Sequence, residues 1–60
     1  MCEFEVLLDG RKVFEEAVYL KREDGNLLAI NILGQEKNLG EVTIEEVDVS
    51  SEKLVLTDDS

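Results

Sequence analysis

Glu41-Val42-Thr43-Ile44-Glu45-Glu46-Val47-Asp48-Val49 alternates apolar and polar residues twice, first through Val42 and Ile44, then through Val47 and Val49. Alternation at a period of two marks a strand with one buried face. The apolar parity flips between Ile44 and Val47. A strand that keeps its core side inward must insert a residue there, which predicts a bulge or corner at Glu45-Glu46. Corners of that kind let a small sheet curl and close.

The same grammar extends in both directions. Toward the C-terminus, Ser50-Ser51-Glu52 turns the chain, Lys53–Thr57 is a last strand, and residues 58–60 form a frayed acidic tail. Toward the N-terminus, Gly40 allows a sharp bend, and Gly34-Gln35 leads into Glu36–Leu39. The most apolar run is Leu27–Leu33, bounded by Gly25 and Gly34. Its length suits a strand and is too short for an independent helix. Leu28, Ile30 and Ile32 would line one face, with Leu27, Ala29 and Leu33 on the other, which suggests a central strand covered on both sides. Arg22–Asn26 is a polar turn with Gly25 where an unusual φ is needed. Over Arg11–Lys21 no single alternation survives, so the Glu15-Glu16 pair marks a bulge or break before a better strand at Ala17–Lys21. A helix over Lys12–Leu20 is the competing reading. Cys2–Leu8 alternates with Phe4, Val6 and Leu8 inward, and Asp9-Gly10 is a two-residue hairpin signal. Leu7 falls on the polar face, as scattered surface or as part of a dimer contact.

Five to six short strands joined by Gly, Asn, Asp and Ser turns read as all-β: a small antiparallel β-barrel or curled sheet, with residues 1–57 as one domain. A chain of 60 residues buries only about 60% of the surface its unfolded form exposes. One cysteine and no histidine exclude an internal disulfide and a Cys₄ or Cys₂His₂ zinc staple. The remaining routes to stability are regular β pairing and self-association, so a homodimer is expected.

Fifteen Asp and Glu against six Lys and Arg give a net charge of −9. Such a surface disfavours nucleic acid, which is held by Lys and Arg displacing counterions, and suits a cationic partner or serves solubility alone. No apolar run approaches the roughly 18–20 residues that span a membrane, and no signal peptide is visible. A free cysteine fits a reducing compartment, so a cytoplasmic location is expected.

Cys2 is the single cysteine, beside the α-amino group of Met1. No other side chain supplies a soft or nitrogenous ligand for a metal. The alternatives for Cys2 are a small buried hydrophobe and an adventitious exposed thiol. The sequence resembles the CooT-like family of very small nickel-binding proteins. The resemblance rests on Met1-Cys2 followed by Val6-Leu7-Leu8, on Asp9-Gly10 and Glu15-Glu16-Ala17-Val18, and on Ile32-Leu33-Gly34-Gln35-Glu36-Lys37. It continues through Ile44-Glu45-Glu46-Val47-Asp48-Val49 and Lys53-Leu54-Val55-Leu56. Hydrogenase-maturation chaperones of the HypC type also begin Met-Cys, but the Gly-Pro-rich stretch that usually follows there is missing here.

The resemblance implies a β-rich homodimer and a nickel-binding accessory protein, of metallochaperone or storage type, for inserting nickel into an enzyme such as carbon monoxide dehydrogenase. It implies Cys2 as the ligand, with one Ni(II) per dimer in reach of two chains, and nickel-enzyme maturation machinery as partner. If Met1 is kept, its amine, the Cys2 amide nitrogen and the thiolate form a three-donor half-site; if Met1 is removed, Cys2 offers a two-donor N,S chelate. Two chains at a two-fold axis would complete either one. Family members often carry the label "predicted RNA-binding protein", and an RNA-binding or protein-interaction module without a metal role is the alternative. Only Phe4, Phe14 and Tyr19 are aromatic, and no basic stripe accompanies them. No general base, nucleophile dyad or phosphate-cradling loop is visible, so the chain does not read as an enzyme.

Overall fold

Six strands form one sheet: β1 (Phe4–Leu8), β2 (Arg11–Glu23), β3 (Asn26–Asn31), β4 (Glu36–Asn38), β5 (Val42–Asp48) and β6 (Lys53–Asp58). The structure, a computed structural model, describes residues 2–59. The strand order is β4-β3-β2-β1-β6-β5. Among the described residues no helix is long and apolar enough to cross a membrane.

Two hairpins are set by local chemistry. Asp9 and Gly10 have φ of 50° and 85° and join Leu8 to Arg11 in a two-residue loop. Asp24 and Gly25, at 51° and 82°, do the same between Glu23 and Asn26. Positive φ at both central residues matches the right-handed twist of the flanking strands, and Asp tolerates it better than most residues.

β2 is the hinge of the architecture. Its first half pairs with β1 and its second half with β3, and at Ala17 the two meet, opposite Phe4 on one side and Asn31 on the other. Ala17 is fully buried, so the bend closes over a side chain no larger than a methyl. The ladder with β1 slips between Phe4 and Val6, opposite Ala17 and Phe14. The extra residue lies at Glu15-Glu16, as expected, and Glu16 takes φ 59° there. The competing helix over Lys12–Leu20 is overturned, because that segment is continuous strand. At β5 the predicted bulge is present: Ile44 faces Leu56 and Glu46 faces Val55, leaving Glu45 as the inserted residue.

Two expectations are corrected. The sheet is mixed rather than antiparallel, since β1 pairs with β6 in parallel from Glu5–Lys53 to Leu8–Leu56. It is curled but not closed into a barrel, since β4 and β5 remain its two ends. Leu27–Leu33 is also less central than expected. β3 stops at Asn31, one strand in from the short edge strand β4, and Leu33 is 74% exposed in the following turn. At the other end, Asp58 closes β6, and the Asp59 N–H donates to the Glu41 carbonyl at 3.1 Å.

The core is small. Val6, Ala17, Leu27, Val42, Leu54 and Leu56 are buried against one another, and no polar or charged side chain among the described residues is buried with them.

Candidate metal-binding terminus

Cys2 enters the sheet two residues before β1, as an exposed free thiol. That removes one alternative from the sequence reading, because it is not a packed core residue. Met1, the other candidate ligand, lies outside the described residues.

The segment that carries Cys2 is fixed by the turn before β6. The Glu5 N–H donates to the Glu52 carbonyl at 2.8 Å, and the Glu3 N–H donates to the Glu52 carboxylate at 3.2 Å. Glu52 thus uses its main chain and its side chain to hold the two amides that flank Phe4. It has φ 56°, so the turn places a non-glycine residue in the left-handed region to present those acceptors. Sequence reasoning assigned Glu52 only to a turn. The contact comes from the parallel pairing of β1 with β6, which local periodicity cannot show.

The turn itself is tied by Asp48. Its carboxylate accepts from the Ser50 hydroxyl at 2.8 Å and from the Ser51 N–H at 3.2 Å. Hydrogen bonds from the Ser51 side chain first, then from Ser50, hold its pKa down at about 2. A carboxyl depressed in the folded state stabilises the fold above its unfolded pKa of about 3.9 and loses that contribution as pH falls toward the folded value. Asp48→Asn is therefore expected to flatten the acid limb of the stability–pH curve between about pH 4 and pH 2. Denaturant midpoints measured across that range check it, and an unchanged slope would contradict it.

The remaining carboxylates do not assemble a second site. Glu45 accepts from the Thr57 hydroxyl at 3.0 Å on the outer face of β5, and Asp48 is engaged by its serines. Among the described residues no three His, Cys, Asp or Glu side chains converge to hold a metal ion.

The loop before β6 shares this end of the sheet, because β1 and β6 run parallel from Glu5 opposite Lys53, whereas the loop after Asn31 continues past the row of Phe4 toward Glu16. Asn31 lies opposite Ala17, which lies opposite Phe4. The loop after Asn31 is rigid: its Oδ1 accepts from the Leu33 and Gln35 N–H groups at 3.0 Å each, and its Nδ2 donates to Gln35 Oε1 at 2.8 Å. That loop presents Leu33, 74% exposed, and the loop before Glu52 presents Val49, 63% exposed. Of these two side chains, Val49 lies at the end of the sheet that carries Cys2.

A family model described as CO dehydrogenase accessory protein CooT matches residues 1–57. A crystal structure assigned as CooT from Carboxydothermus hydrogenoformans superimposes with a TM-score of 0.90 at 21% identity, covering 98% of this chain and 100% of that one. At that identity the likeness shows the fold. No curated protein matches the chain.

Proposed function

Since this chain belongs to the CooT family of carbon monoxide dehydrogenase accessory proteins, we propose that it holds Ni(II) as cargo through Cys2 and passes it to the maturation of a nickel enzyme such as carbon monoxide dehydrogenase. The observation that supports this is the exposed, unpaired Cys2 thiol on a segment held by Glu52. Thiolate and main-chain nitrogen are donors that suit Ni(II). The role is carriage rather than catalysis.

A single chain offers an incomplete donor set. With Met1 kept, the donors are its amine, the Cys2 amide nitrogen and the thiolate; with Met1 removed, the Cys2 amine and thiolate. Two chains related by a two-fold axis at this end would complete one site, and burying Val49 against a second copy would favour that assembly. The RNA-binding alternative gains nothing from the geometry. Lys12 is paired with Glu5 and Glu15, Lys21 is paired with Glu23, and Arg22 bonds two carbonyls.

Titration of the reduced protein with Ni(II), with N-terminal processing checked by mass, tests the proposal. Thiolate-to-nickel absorption saturating at one ion per two chains, with a matching native mass, is expected. Weak uptake of several ions per chain without that absorption would assign binding to surface carboxylates and end the nickel reading.

A further inference from the structure

We propose that the seam between the outer edge of β5 and the second half of β2 takes up an extended segment of a partner protein as an added β-strand. The segment would carry apolar residues at alternate positions with Lys or Arg between them. This goes beyond metal carriage and does not depend on it.

Both banks of the seam are backbone edges. Among the described residues β5 is the last strand of the sheet, with β6 on one side and no strand on the other. β2 pairs with β1 only as far as Ala17, so its second half keeps one edge unpaired while β3 occupies the other. Between them lies an open cleft of about 220 Å³ lined by Phe4, Leu20, Ile44, Val47 and Leu54. Ile44 and Val47 are 43% and 56% exposed there.

Among the described residues no ladder joins the two edges. Where a closed barrel would carry a ladder at a spacing of about 4.8 Å, the side chain of Arg22 reaches across instead. Its Nη1 donates to the Val42 carbonyl at 2.9 Å. The ladder also shows which groups are on offer. The Asp59 N–H donates to the Glu41 carbonyl, so the main-chain groups of Val42, one residue on, point away from β6, and those of Ile44 do the same. With the Val42 carbonyl held by Arg22, the Val42 N–H and both groups of Ile44 are left for a partner. An edge with outward N–H and C=O groups over an apolar floor is a template for strand addition.

Charge selects the partner. β5 carries Glu45, Glu46 and Asp48, and no Lys or Arg occurs from Glu41 through Glu52. Glu45 lies on the outer face, bonded to Thr57. A segment whose apolar residues enter the cleft turns its other side chains to that outer face, beside Glu45 and Glu46. Basic side chains there form cross-strand pairs, and acidic ones are repelled. A second copy of this chain, at −9, is the poorer occupant.

The test uses the full chain and a blocked heptapeptide alternating lysine and valine. Binding is expected to shift the backbone amide resonances of Val42–Val47 and Val18–Arg22. It should weaken by about tenfold or more in Val47→Asp, in Glu46→Lys, and when glutamate replaces the peptide's lysines. Both substituted residues are exposed, so the fold is kept. Equal binding of a lysine–glycine peptide, or of one interrupted by proline, would overturn strand addition in favour of simple charge attraction. A wild-type dimer that Val47→Asp dissolves would assign the seam to a second copy and overturn the proposal too.

Discussion

Leu56→Ala is expected to leave most of the chain unfolded at 25 °C. Leu56 is fully buried at the centre of the core, on the strand that joins β1 to β5. Removing a buried leucine side chain costs about 2–5 kcal/mol, from lost transfer energy and the cavity left behind. A core of this size supplies only about 3–5 kcal/mol in total. The loss is therefore comparable to the whole stability of the domain. Urea titration followed by circular dichroism should show a transition displaced to very low denaturant or no folded baseline. Val47→Ala, at an exposed position, should move the midpoint little. A Leu56→Ala transition close to that of the unchanged chain would mean that another cluster holds the fold.

The same core explains which parts of the fold the sequence made legible. Strand existence follows from local alternation, and the parity break between Ile44 and Val47 located the inserted Glu45. The insertion keeps both side chains on the cleft side of the sheet, although only Val42 of this strand is buried in the core. Asp9-Gly10 was legible as a two-residue turn because its residues tolerate positive φ, whereas the turn read over Arg22–Asn26 is only Asp24-Gly25, with Arg22, Glu23 and Asn26 paired in the flanking strands. Leu27–Leu33 was misjudged at its end. An apolar run carries no mark of where pairing stops, and here Asn31 stops it by binding the amides of the loop, which leaves Leu33 outside.

Pairing between distant strands was not legible. Phe4–Leu8 and Lys53–Asp58 alternate equally well in either direction, so nothing local distinguishes a parallel from an antiparallel neighbour. Closure has the same character. Whether a curled sheet becomes a barrel depends on whether its last edge meets the bent strand. Here Arg22, in a segment read as a polar turn, reaches the Val42 carbonyl across that gap. Cys2 was legible as a candidate because it is chemically unique in the chain. Glu52 was not, because its role exists only once β1 and β6 lie side by side.

Cys2→Ser is expected to remove tight Ni(II) binding while leaving stability unchanged. The chain contains no histidine and no second cysteine, and its one methionine is Met1, so no other side chain can replace the thiolate. A serine hydroxyl stays protonated near neutral pH and is a hard, weak donor. Altering a residue that merely supports a metal ligand costs about 10–100-fold in affinity, and removing the ligand should exceed that. Because Cys2 is exposed, the urea midpoint should not move, which separates a lost ligand from a lost fold. In the unchanged chain, affinity should also fall as pH drops, because thiolate and amine take their protons back when the ion leaves. A nickel isotherm in Cys2→Ser that overlays the original would mean that the N-terminal thiol has no part in holding the ion.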